Sequence, residues 1–271
     1  MKPILRLQDF IKIKDNPEIR IYDVRTGPNA VENYKSEHVK NAAYVSLDKD
    51  LAEIGDFKIG GRHPLPSAEK FAETLGNLGI NPNSHVVIYD DKNGGNAAAR
   101  FWWMLKALGH EKVQVLDGGL QHAKANNIEI ESGDFKYEKT HYPSSNWNLP
   151  TIKIDDVEKA TQDKDFVIID VRENQRYAGI TEPIDLIAGH IPNAINIPFA
   201  ENLDDNGNFK TSEELHEKYK DIFDKHSKNQ IVVHCGSGVT ACHTLLAMSE
   251  AGYEIPNLYV GSWSEWSRNK L

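Results

Sequence analysis

Cysteine is scarce. The chain of 271 residues has two, Cys235 and Cys242. A disulfide framework is excluded as the source of stability, and the cytoplasm is the expected compartment. Long apolar runs are missing as well. No stretch approaches the roughly 20 apolar residues of a membrane span. The N-terminal MKPILRLQDFIKIK mixes charge with apolar residues and does not read as a secretory signal. A surplus of positive charge is also absent. Lys plus Arg is 31 against 40 for Asp plus Glu, a net charge of −9. That argues against a nucleic-acid partner, which requires a basic face. A small anion stays admissible, because local donors can attract one on an acidic protein. Metal-ligand spacing is lacking too. His234 alternates with Cys235 and should point to the opposite face of its sheet, and His243 sits on the following helix. No metal or organic cofactor is therefore expected. Cys242 reads as a small core residue.

What is present is a repeat. Hydrophobic residues make up 39% of the chain, enough for real cores, and the length suits two domains. IRIYDVR at Ile19–Arg25 returns as FVIIDVR at Phe166–Arg172. HVKNAAYVSL at His38–Leu47 returns as HIPNAINIPF at His190–Phe199. HVVIYD at His85–Asp90 corresponds to QIVVHC at Gln230–Cys235, and VLDGGL at Val115–Leu120 to LYVGSW at Leu258–Trp263. Order and spacing are both kept, so the chain is a tandem duplication. Short β-branched runs such as Val86–Tyr89 and Ile231–Val233 predict buried parallel strands. They alternate with helices, Ala97–Leu108 closed by Gly109 and Thr240–Ala251 closed by Gly252. The fold class is thus α/β, two copies of an open parallel sheet with helices on both faces. The polar, aperiodic segment 131–150 reads as a linker. It leaves an N-terminal domain at 1–130 and a C-terminal domain at 151–271. The tryptophan pairs Trp102-Trp103 and Trp263/Trp266 read as packing between the domains or at a cleft.

The chemistry concentrates at IVVHCGSGVTACHTLLAM. A buried strand ends at His234, then Cys235 opens a Gly-rich turn into a helix. In an open α/β sheet, ligands bind beyond the carboxyl ends of strands. The turn lets the backbone N–H groups of Gly236, Ser237, Gly238, Val239 and Thr240 point at one sulfur. The helix adds its positive end. Both favour a thiolate or another anion held on Cys235. Ser237 and Thr240 add hydroxyls. The alternative, an inert structural cysteine, gives no reason for such a turn. Cysteine phosphatases use a similar strand–loop–helix but close the loop on an arginine that grips phosphoryl oxygens. Here that position is Ala241.

These motifs, with GRHPLP at Gly61–Pro66, RFWWML at Arg100–Leu105, TEP and GSWSEW, resemble the two-domain rhodanese-type sulfurtransferases across nearly the whole chain. The resemblance implies a Cys235 persulfide passing sulfur from a small anionic donor to a thiol, a thioredoxin-type protein or cyanide. The neutral CGSGVTA loop is similar to that of family members using 3-mercaptopyruvate; thiosulfate is the alternative donor, and a non-catalytic binding module is the alternative role. The first copy carries Asp90 where Cys235 stands in the second, so it supplies scaffold without a nucleophile. Arg176 matches a substrate-binding arginine of the family. A second arginine usual before GHIP is missing from EPIDLIAGH. Arg172 reads as a brace for Asp170. Some members use a Ser–His–acid relay, which here implies Ser237 and His38. Because His190 repeats His38, a turn-holding role for both is an equal expectation.

Overall fold

The computed structural model describes residues 1–95, 97–143 and 146–271. Asn96 of the Asp90 loop, and Ser144 and Ser145 of the expected linker, lie outside them. The chain forms two compact units. The N-terminal unit comprises Met1–Leu51, Pro66–Asn148 and Gly207–Phe209; the C-terminal unit comprises Ala52–Leu65, Leu149–Asn206 and Lys210–Leu271.

The N-terminal unit holds a five-stranded parallel sheet, in spatial order Ile4–Leu5, Val113–Leu116, His85–Tyr89, Ile19–Asp23 and Ala42–Tyr44. The C-terminal unit repeats its centre with four strands, Asn257–Leu258, Ile231–His234, Val167–Asp170 and Ile195–Asn196. Even the register is duplicated. Asp23 stands opposite Tyr89 in one sheet, and Asp170 opposite His234 in the other. The expected helices run Ala97–Ala107 and Ala241–Glu250. Each is apolar on nearly all sides and buried accordingly, as continuous hydrophobic helices must be.

The buried arginines explain why DVR occurs twice. Arg25 grips the buried Asp23 through Nε and Nη2, and Arg172 grips Asp170 with the same atoms. Each also donates to a carbonyl, of Glu37 or of Gly189. A buried charge pair is tolerable only when it is satisfied in this way.

Two domain expectations are corrected. Segment 131–150 is not a free linker. Tyr137 donates to the Asn41 carbonyl and accepts from Ile21 N–H, and Thr140 donates to the Ile80 carbonyl. Its aromatic side chains pack onto the N-terminal unit, which polar composition alone conceals. Residues 52–65, placed by sequence in the first domain, belong to the C-terminal unit. Gly60 N–H donates to Glu265, Arg62 N–H to Ser264 Oγ, and Asn269 donates to the Lys58 carbonyl. Trp263 and Trp266 belong to the apolar cluster of the C-terminal unit, with Val157, Ile191 and Val232. Trp102 and Trp103, of the N-terminal unit, are fully buried. Among the described residues, no helix is long and apolar enough to cross a membrane.

Candidate active site

Cys235 follows the strand Ile231–His234 directly and is 3% exposed. Its backbone is fixed by the turn before the last helix. Its N–H donates to Ser262 Oγ at 3.2 Å, and its carbonyl accepts from Trp263 N–H at 3.0 Å. Ser262 in turn donates to the Tyr259 carbonyl, which locks its hydroxyl as an acceptor for Cys235. Gly238 has φ +70°, and a Cβ there would lie 2.5 Å from the Val260 carbonyl oxygen. Only glycine fits this turn. The N–H groups of Gly236, Ser237, Val239 and Thr240 have no acceptor among the described residues. They sit between the nucleophile and the N-terminus of the helix Ala241–Glu250.

The duplicate loop shows what such a turn holds. Asp90 Oδ1 accepts from the N–H groups of Lys92 at 2.8 Å and Gly94 at 2.9 Å, and Oδ2 from Ala98 at 3.3 Å. The N-terminal unit therefore fills its own anion cradle with a carboxylate.

Ser237 is buried, and its Oγ lies 2.8 Å from His63 Nδ1. His63, not His38, is its partner. His38 Nδ1 instead lies 2.8 Å from the Tyr34 carbonyl and Nε2 lies 3.3 Å from Glu131, both within the N-terminal unit. Its ring stacks on Tyr34 with centroids 4.2 Å apart. His190 does the same with Tyr177, at 4.1 Å, with Nδ1 2.8 Å from that carbonyl. The duplicated histidines pin a turn in each unit, and the histidine beside Ser237 is His63 rather than His38.

Arg176 lies at the loop. Its Nη2 would be 3.4 Å from a Cβ on Gly236, and Arg62 Nη2 would be 3.0 Å from the same point. Arg176 binds Glu182, and the fully buried Asp185 side chain contacts Arg62, Arg176 and Arg268. Burial works against the charge of Arg176, but Glu182 outweighs it and holds the guanidinium above its ordinary pKa. Cys242 donates to the Gly238 carbonyl at 3.4 Å from a fully buried position. His234 is completely buried, and this pushes its pKa down.

Arg62 and His63 were not assigned to the site from sequence. The signal was present: GRHPLP has no counterpart in the second copy. Features kept in both copies, such as Arg25/Arg172 and His38/His190, hold the fold.

The rhodanese-like domain pattern matches residues 7–126 and again 153–269. The chain belongs to the rhodanese family. It is 37% identical over 249 residues to the 3-mercaptopyruvate sulfurtransferase of Mus musculus, covering 90% of this chain and 82% of that one. SseB of Mycobacterium tuberculosis, named for thiosulfate sulfur transfer, is 34% identical over 269 residues, covering 94% of this chain and 90% of that one. The solved 3-mercaptopyruvate sulfurtransferase from Leishmania major superposes with a TM-score of 0.84 at 30% identity, covering 99% of this chain and 75% of that one. The tandem parallel α/β architecture is that of the rhodanese fold.

Proposed function

We propose that this rhodanese-family sulfurtransferase takes its sulfur from 3-mercaptopyruvate. The observation that carries the reading is the Ser237–His63 hydrogen bond two residues from Cys235. Thiosulfate releases sulfite, which needs no proton to leave. A mercaptopyruvate donor releases carbon as an enolate, which does. A serine–histidine pair at the nucleophile supplies that proton.

The Cys235 thiolate attacks the donor sulfur, and the carbon–sulfur bond breaks. The bonding pair leaves on carbon as pyruvate enolate, and Ser237, backed by His63, protonates it. The persulfide left on Cys235 faces the N–H groups of Gly236 to Thr240. A thiol, a reduced thioredoxin-type protein or cyanide then removes the outer sulfur, restoring the thiolate.

The test is kcat/KM for 3-mercaptopyruvate against thiosulfate on the same preparation. A clear preference for 3-mercaptopyruvate is expected, and a preference for thiosulfate overturns the donor assignment. His63→Gln is expected to lower kcat with 3-mercaptopyruvate about 100-fold and to leave thiosulfate turnover far less affected. His38→Gln should lower thermal stability and change neither kcat by more than about twofold, because its bonds are to the fold. Equal effects of the two histidine variants on kcat would remove the relay.

A further inference from the structure

The first copy carries aromatic residues that the second does not repeat. Tyr44 corresponds to Asn196 when His38–Leu47 is aligned with His190–Phe199. Phe135 and Tyr137 lie in segment 131–150, outside both repeats. Features kept in both copies hold the fold, so these unrepeated rings need another account.

With Tyr34 they line one cavity of about 430 Å³. Every residue lining it belongs to the N-terminal unit. Its volume falls within the range of small-molecule sites, roughly 300–1,000 Å³. The rings come in two pairs. Tyr34 and Tyr44 are tilted at 40° with centroids 5.3 Å apart, and Phe135 and Tyr137 meet edge to face at 5.0 Å. The tyrosine hydroxyls are already committed to the backbone. Tyr34 donates to the Ala42 carbonyl, Tyr44 to the Arg25 carbonyl and Tyr137 to the Asn41 carbonyl. Tyr34 also accepts from Phe135 N–H, and Tyr137 from Ile21 N–H. These bonds fix the rings in orientation, and what remains to meet a ligand is ring surface. Such walls favour a flat aromatic ring, which gains from offset or edge-to-face contact beyond the area it buries.

The charge at the cavity is mostly of one sign. Lys35, Lys136 and Lys139 line it, and Asp134 is the one acid among the described lining residues. All three lysines are exposed. Lys136 lies 3.7 Å from Asp134. Lys35 and Lys139 have no side-chain acceptor among the described residues. On a chain of net charge −9 this is a local cationic rim, and such a rim attracts an anion. An ammonium on a flexible stem presents a point charge without the fixed fork of an arginine. That suits a single carboxylate carried on the ring.

We propose that this cavity binds a small planar aromatic carboxylate. Its ring packs on the Tyr34/Tyr44 and Phe135/Tyr137 walls, and its carboxylate meets Lys35 and Lys139. The site shares no residue with the Cys235 loop and does not depend on the donor reading.

The test titrates the full chain with 2-naphthoate, 2-naphthamide and cyclohexanecarboxylate by isothermal calorimetry. The first has both the aromatic ring and the charge; the amide lacks the charge and the cyclohexane acid lacks the aromatic ring. Wild type should bind 2-naphthoate at one site with a Kd at or below about 1 mM. The other two should bind at least about 5-fold more weakly. Lys35→Glu/Lys139→Glu reverses both charges at exposed positions. It should keep its sulfurtransferase activity and bind 2-naphthoate at least about 10-fold more weakly. Phe135→Leu removes a ring but leaves an apolar side chain, and should weaken binding about 5-fold.

Absence of saturable binding to wild type overturns the proposal, as does equal affinity for either analogue. Unchanged 2-naphthoate affinity in the double lysine variant also overturns it, because the anion then binds elsewhere, as at the arginines near Gly236. Unchanged affinity in Phe135→Leu removes the aromatic wall and has the same consequence. The lysine variant alters no buried contact, so it decides the question even where Phe135→Leu fails to fold.

Discussion

Cys235→Ser is expected to abolish sulfur transfer from every donor, lowering turnover by about 10⁴-fold or more. A serine hydroxyl neither ionises near neutral pH nor forms a persulfide, and nothing else in the loop replaces it. The fold should survive the change. Cys235 is held through its own N–H and carbonyl, which bond to Ser262 and Trp263 and do not involve the side chain. The measurement is sulfur release to cyanide, with intact-mass spectrometry after donor exposure. Wild type should gain the mass of one sulfur and the variant none. Turnover above about one part in a hundred of wild type with any donor would remove Cys235 from its assigned role. Sulfur mass on Cys242 would do the same. That residue is the alternative thiol, but its Sγ is fully buried against the Gly238 carbonyl.

Arg172→Met carries the largest expected effect on stability, about 3–5 kcal/mol. It leaves two carboxylates, Asp170 at 0% and Glu182 at 3% side-chain exposure, without the guanidinium that binds both. Methionine fills the volume but donates nothing, so a buried charge stays unpaired. Arg25→Met should destabilise the N-terminal unit similarly, since Asp23 is equally buried and held by the same atoms. Denaturant unfolding followed by tryptophan fluorescence checks both. A loss under about 1 kcal/mol for either would mean that the pair gives the fold no more than a surface ion pair does.

The same network sets an acid limit. Burial alone would raise the pKa of Glu182. The hydrogen bonds from Arg176 and the N–H groups of Asp185 and Ile184 outweigh it and hold the carboxyl below its ordinary 4.5. A carboxylate depressed on folding adds stability that is fully present above its unfolded pKa. That stability is lost as pH falls through the lower folded value. Stability should therefore decline in the range below about pH 4.5.

The duplication was the most informative feature of the sequence, and it served in two ways. It gave the fold class, because repeated strand motifs interleaved with apolar helices admit few arrangements. It also separated scaffold from chemistry. Asp23–Arg25 and Asp170–Arg172 recur because each sheet needs the same brace, and His38 and His190 recur because each turn needs the same pin. Cys235, Ser237, Arg176 and the GRH of GRHPLP occur once. Taken through to the end, that contrast would have favoured His63 over His38.

By itself the sequence determined the tandem α/β fold, the position of Cys235 at a strand end and the neutral Gly-rich turn behind it. Each follows from local rules: β-branched runs, a strand-to-helix turn and a φ that only glycine adopts at Gly238. Only the tertiary structure decided which residues accompany the cysteine. Residues 52–65 lie between helices of the first copy in chain order, yet pack with the C-terminal unit. Their docking depends on Gly60 and Arg62 N–H groups reaching Glu265 and Ser264, more than two hundred residues away. Such contacts depend on where the chain returns in space, and no periodicity or spacing encodes them. Arg62 and His63 therefore join Cys235 by topology.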